Sequence, residues 1–188
     1  MTTQAHPVAV KWSRGKHAIE VLSKEVRLYA TALAELQGSV VPRCYGYFEE
    51  TIDGVDIGCL VLERCGKTLT CATDMEMNRK IMLAVSKLHC AGIYHGDIYD
   101  GRHLLLAPDR TVRIIDFSKA RVHECTNTVP YLFNEGTGEV SAGCQELEDM
   151  ESFFGMYSGS WNATKRKPPT RRLRFAPKPN NVTMNGPA

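Results

Sequence analysis

No run of this chain approaches the roughly 18 consecutive apolar residues of a membrane span, and Met1 to His17 hold no apolar core with a small-residue cleavage site after it. Neither a membrane-spanning nor a secreted protein is expected, and the chain is read as intracellular. Its seven cysteines (44, 59, 65, 71, 90, 125 and 144) include no C-x-x-C pair and are odd in number. That argues against a disulfide framework and against a zinc ribbon, and most are expected to be small buried thiols. No internal repeat is visible. Acidic residues are missing entirely from 164 to 188, which hold seven Lys or Arg and five of the nine prolines. Lys165 to Arg174 cannot bury enough apolar surface to offset its ordering entropy, so 164–188 is expected to be a flexible, disordered basic tail. Two readings of the tail stay open: a nuclear-import or nucleic-acid patch, and a solvated extension that aids solubility.

What is present fits a globular chain. The 188 residues are 43% hydrophobic and 23% charged, enough for one domain or a small two-lobed one. A fully disordered chain is excluded. Taking the tail's seven charges from the net +2 leaves −5 on residues 1–163.

The periodicities set an order of elements. His6 to Trp12 reads as a strand, and apolar residues at 22, 26, 29, 33 and 36 predict an amphipathic helix from Lys16 to Gln37, ended by Gly38. Cys44–Glu50 and Val55–Glu63 are β-rich runs joined through Asp53-Gly54, a strong hairpin signal. Apolar positions 81, 85 and 88 predict a second helix over Asp74–Ala91. Leu104–Leu106 and Val112–Ile115 read as short strands about a Pro108-Asp109 turn. A third helix is predicted over Gln145–Tyr157 from positions 147, 150, 154 and 157. Gly66-Lys67-Thr68 imitates the end of a phosphate-binding P-loop, but Val61 stands where the loop's first glycine belongs, so the match fails.

The informative segment is Ile93 to Ser118. It holds Ile93-Tyr-His-Gly-Asp97, then Arg102-His103-Leu-Leu-Leu106, then Val112-Arg-Ile-Ile-Asp116-Phe117-Ser118. Helix, Gly, His-x-Asp, strand, turn, strand and Asp-Phe, in this order, resemble the catalytic core of the protein kinase-like superfamily. Val8-Ala9-Val10-Lys11 is similar to the Val-Ala-Ile-Lys of that family's ATP-lysine strand, and Glu25 falls about where the lysine's partner glutamate belongs. Singly, Lys11 and Glu25 would be a surface pair, Asp97 a turn former and Asp116-Phe117 a strand end. Their joint order carries the resemblance.

The resemblance implies phosphoryl transfer, in which catalysis is mostly positioning and charge neutralisation. Lys11 would contact the ATP phosphates and be held by Glu25. Asp97 would orient or deprotonate the attacking hydroxyl, and Asp116 would bind Mg2+. The backbone from Glu63 to Cys65 would be the hinge that binds adenine, with Leu62 as the gatekeeping side chain.

Departures from the family pattern qualify this. Gly96 replaces the arginine that grips an activation-segment phosphate, so regulation of that kind is not expected. A His-Gly-Asp motif is similar instead to small kinase-like families, and Val40–Gly46 with Leu88–Asp97 most resemble fungal kinase-like proteins of unassigned substrate. The asparagine that binds a second Mg2+ is replaced by His103, or by Arg102 if the loop has no insertion. The catalytic-loop lysine is missing, with Tyr99 near its place, and Ser118 replaces the glycine after Asp-Phe. The glycine-rich strand pair that precedes the lysine strand, the late docking helices and an Ala-Pro-Glu have no counterpart in the sequence.

The expectation is an α+β, two-lobed protein kinase-like fold, truncated at both ends: a kinase-like domain over 1–163, with N-lobe 1–63 and C-lobe 67–163, then the tail. The expected function is ATP-dependent transfer to Ser or Thr hydroxyls of protein, or to a small-molecule hydroxyl, with ATP and Mg2+ and no membrane partner. The alternative is a catalytically inactive pseudokinase acting as a nucleotide- or protein-binding module. A third reading, a nuclear or RNA-associated protein, predicts salt-dependent nucleic-acid affinity that vanishes when 164–188 are deleted. A cytoplasmic location is expected, or a nuclear one if the tail is an import signal.

Overall fold

The computed structural model describes residues 7–69, 74–98, 101–125 and 144–155. The basic stretch, Tyr99 and Tyr157 lie outside the described residues. In chain order the elements are β1 (Val8–Arg14), α1 (Lys16–Ala30), β2 (Cys44–Ile52), β3 (Val55–Glu63), β4 (Lys67–Thr68), α2 (Met75–Cys90), β5 (Ile93–Tyr94), β6 (Leu104–Leu106), β7 (Val112–Ile114), β8 (Arg121–Val122) and α3 (Gln145–Phe154). The strands pair antiparallel, in the orders β1-β3-β2, β4-β6-β7 and β5-β8. The chain is thus mixed α+β on small antiparallel sheets.

The first sheet follows from its hairpin. Asp53 (φ 51°) and Gly54 (φ 76°) both take positive φ, as a two-residue turn matched to the strand twist demands. β3 becomes the central strand, and its alternate residues Gly58, Leu60 and Leu62 turn to the buried face. There α1 covers them with Ile19, Leu22, Glu25 and Tyr29, a set spaced at the helical period. The other face carries the exposed side chains of Val10, Trp12 and Phe48.

Several boundaries differ from the sequence expectation: β2 runs on to Ile52 rather than Glu50, and α3 ends at Phe154 rather than Tyr157. β1 runs on to Arg14, which pairs with Ile57. Pro7, which has no N–H to give a ladder, precedes its first residue and accepts a bond from Arg64 N–H. α1 stops at Ala30 rather than Gln37. Thr31 Oγ1 donates to the Arg27 carbonyl at 2.7 Å, and Leu33 N–H reaches back to the Leu28 carbonyl. Gln37 then caps the end, its side-chain amide donating to the Tyr29 carbonyl at 2.9 Å while its oxygen accepts from Cys44 N–H at 2.8 Å. The apolar period continues through 33 and 36 because a short 3-10 turn, Ala34–Leu36, still packs inward.

α2 begins at Asp74, whose carboxylate accepts from Met77 N–H at 2.7 Å. It buries Ile81, Val85 and Leu88 completely against α3 and the β6–β7 hairpin. Arg113, 3% exposed, joins that hairpin to the loop after α1 by donating to the Gly38 and Ser39 carbonyls at 2.6 Å each. Arg113→Leu keeps the apolar stem but leaves both carbonyls without their donor. A loss of about 2–3 kcal/mol in urea unfolding is expected.

Candidate functional site

Lys11, Glu25 and Asp116 converge from β1, α1 and the end of β7. Lys11 Nζ donates to Glu25 Oε2 at 2.6 Å and to Asp116 Oδ1 at 2.7 Å. Glu25 is 1% exposed, and its other oxygen accepts from Phe117 N–H at 3.2 Å. The Phe117 ring packs edge-on against Tyr29, one turn after Glu25, which fixes the helix against the Asp-Phe segment. Asp116 holds a left-handed backbone (φ 65°), uncommon outside glycine but tolerated by Asp. Burial pushes its carboxyl up, but the bonds from Lys11 and Ser118 N–H outweigh that and hold it down at about 2. Burial likewise lowers Lys11, and the two carboxylates more than reverse it.

Because the folded Asp116 carboxyl lies below its unfolded value, its contribution to stability is complete above about pH 4 and is lost as pH falls towards 2. In Lys11→Met the main lowering partner is gone. Carboxyl-carbon NMR should then find Asp116 titrating at or above the ordinary aspartate value. A resonance still near 2 would show that the pair does not set it.

The His-Gly-Asp turn is held from three directions. His95 is fully buried. Its Nδ1 accepts from Asp97 N–H at 3.3 Å, so Nε2 carries the proton and donates to the Ile115 carbonyl at 2.9 Å. Burial keeps this imidazole's pKa low, which matches the neutral tautomer. Gly96 has φ 81°, and a Cβ there would stand 2.9 Å from the Lys119 carbonyl. That explains why glycine and not arginine occupies the middle of the motif. From α3, Glu146 sends its buried carboxylate into the turn, accepting from His95 N–H at 2.8 Å, Gly96 N–H at 2.7 Å and His89 Nε2 at 2.9 Å.

Asp97 therefore faces Asp116 from a fixed loop. Its Oδ2 accepts from Lys119 Nζ at 2.8 Å and lies 3.3 Å from His103 Nε2. Lys119 is the main cause of its lowered pKa, with burial opposing and His103 adding to the effect. His103 Nδ1 stands 3.9 Å from Asp116 Oδ2, so the ring sits between the two carboxylates, while Arg102 is exposed. The imidazole, and not the guanidinium, thus occupies the place next to Asp116. Sequence reasoning missed Lys119 and Glu146. Lys119 follows Asp-Phe by two residues in a 3-10 turn that swings it back to Asp97, and nothing local in the sequence marks that pairing.

A cleft of about 330 Å³ adjoins Lys11 and Asp116. Ala9, Pro42, Leu62, Leu105 and Ile115 give it apolar walls, and Glu63, Arg64, Cys65 and Gly66 line its far side. Lys11, Glu25, Leu62, Glu63, Cys65 and Asp116 thus share one cavity, with Asp97 and His103 beside it. Burial pushes the Cys65 thiol up to about 11, which leaves it a packing group and not a nucleophile. Lys67 and Thr68 pair with Leu106 and Leu105 as β4, and Gly66 packs against the Leu106 carbonyl, in keeping with rejection of a P-loop. The donor set suits one hard cation at Asp116, because magnesium commonly takes one or two carboxylates and completes its shell with phosphate and water. His103 is a softer ligand that suits magnesium poorly. No protein-family model matches the chain, and no curated protein is significantly similar to it.

Proposed function

We propose that the chain is an ATP-dependent phosphotransferase of the kinase-like type. The lobe of β1–β3 and α1 and the lobe around α2 and α3 would meet at the cleft, and the γ-phosphate would pass to a Ser or Thr hydroxyl of protein or to a small-molecule hydroxyl. The observation that carries the reading is Lys11 bonded at once to Glu25 and to Asp116, 14 and 105 residues away, at the mouth of an apolar cleft.

The residues divide the work as follows. Ala9, Leu62, Leu105 and Ile115 accept a flat apolar ring between them, and the backbone of Glu63 to Cys65 supplies polar groups at its edge. Lys11 turns to the phosphates while Glu25 keeps hold of it. Asp116 would hold Mg2+, which supplies positive charge to the phosphate oxygens when bound. Asp97 accepts the proton of the incoming hydroxyl, and Lys119, already 2.8 Å from it, supplies positive charge to the transferring group.

Calorimetry with Mg-ATP should give a dissociation constant of about 0.1–1 mM. Asp116→Asn should remove the magnesium dependence. Absence of heat up to several millimolar would sink the reading. One observation favours a nucleotide-binding module without transfer: His103, beside Asp116, offers magnesium a poor ligand. That alternative requires binding with no phosphate release, whatever the acceptor supplied.

A further inference from the structure

Away from the cleft, four potential ligands meet where α2, α3 and the segment after β8 converge. His89 comes from the last turn of α2, Cys144 from the N-cap of α3, and His123 and Cys125 from beyond β8. Their ligand atoms all lie within 4.8 Å of one another. The geometry points to a structural zinc site of the Cys2His2 type, a reading independent of phosphoryl transfer.

The distances fit one metal at the centre. Cys144 Sγ lies 3.6 Å from His89 Nδ1 and 3.5 Å from His123 Nε2. Tetrahedral zinc with Zn–S of about 2.3 Å and Zn–N of about 2.0–2.1 Å sets sulfur and nitrogen ligands about 3.5–3.6 Å apart. The Cys144 sulfur thus meets two imidazole nitrogens and the side chain of Cys125 at once. No disulfide joins the two cysteines.

The surroundings orient the ligands. His89, fully buried, has Nε2 on the Glu146 carboxylate at 2.9 Å, which keeps a proton there and leaves the Nδ1 lone pair aimed at Cys144. A carboxylate behind a ligating histidine is the usual support of a zinc-bound imidazole. His123 N–H donates to the Gly92 carbonyl at 2.7 Å, pinning its segment to the end of α2, and Cys125 follows two residues on. Cys144 sits at the N-cap of α3, where the helix N-terminus favours a thiolate. Two thiolates, two neutral imidazoles and Zn2+ sum to zero charge, the form least costly to bury. Four protein ligands leave no position for water, so the site is structural and not catalytic. Zinc enters as Zn2+, and the two thiols release two protons to solvent.

The full-length chain, stripped with chelator under reducing conditions, is titrated with Co2+ and then with Zn2+. One equivalent of cobalt should release about two protons and give the visible bands of a tetrahedral site and thiolate-to-cobalt charge transfer, the bands then being erased by one equivalent of zinc with no further proton release. His123→Ala and Cys125→Ser, at half-buried positions, should weaken zinc at least about 100-fold, whereas Cys90→Ser, an exposed cysteine outside the cluster, should not. If a variant fails to fold, the wild-type chain decides: zinc should raise its melting temperature and chelator reverse the rise. Octahedral cobalt spectra, bands that persist in Cys125→Ser, or a Cys125–Cys144 disulfide in the freshly reduced chain would overturn the assignment.

Discussion

On the proposed phosphotransferase reading, Asp97→Asn should lower turnover by about two orders of magnitude or more and leave ATP affinity nearly unchanged. Asparagine has the same shape, and its amide oxygen in the Oδ2 position can still accept from Lys119 and His103, but it carries no charge and cannot take up the hydroxyl proton. The exposed Lys119 makes this ion pair a weak contributor to folding, so stability should stay within about 1 kcal/mol. The loss should fall on kcat and not on KM for ATP, because Asp97 does not line the cleft proposed to take the nucleotide. ATPase or autophosphorylation followed in single turnovers gives the measurement. Turnover that survives the substitution would remove Asp97 from the chemistry.

Glu146→Gln should cost about 3 kcal/mol of stability and loosen the His-Gly-Asp turn. The carboxylate is buried and receives two backbone N–H groups and an imidazole N–H. A carboxamide offers one acceptor oxygen and sets its own NH2 against a donor, so at least one buried N–H is left without a partner. Burial pushes the Glu146 carboxyl up, but His89, His95 and Gly96 outweigh it and hold it below the ordinary glutamate range. A depressed folded pKa means that the stabilisation is complete above about pH 4.5 and is lost as pH falls. Urea unfolding should therefore show wild type and Glu146→Gln drawing together in acid. Equal stabilities at pH 7 would contradict this role.

The elements with local causes were legible in the sequence. Asp53-Gly54 marks its hairpin, Asp74 caps α2, and Val8–Lys11, Ile93–Asp97 and Val112–Phe117 mark the strands and turns that bring Lys11, Glu25, Asp97 and Asp116 together. The α1 boundary was not legible, because Leu33 and Leu36 keep the helical period while Gln37 caps the helix at Tyr29 from the side. Lys119 with Asp97, and Glu146 with His95, are pairings across 22 and 51 residues that no spacing rule anticipates. The Cys-His cluster was hidden for the same reason. Its one local trace is His123-x-Cys125, while Cys144 reaches His89 across 55 residues.

These separations also bear on how the chain folds. The bonds that define the cleft join Lys11 to Asp116 and Glu25 to the Phe117 backbone, across 105 and 92 residues. Closing such long loops costs entropy before any contact repays it, so these bonds belong to the late part of folding, after the β2–β3 hairpin and the helices have formed locally. During synthesis, β1 and α1 must wait with Lys11 and Glu25 unlatched until Asp116 and Phe117, 105 and 92 residues further on, have been made. The cleft, whose lining runs from Ala9 to Asp116, therefore takes shape only once the segment that ends β7 has joined β1 and α1.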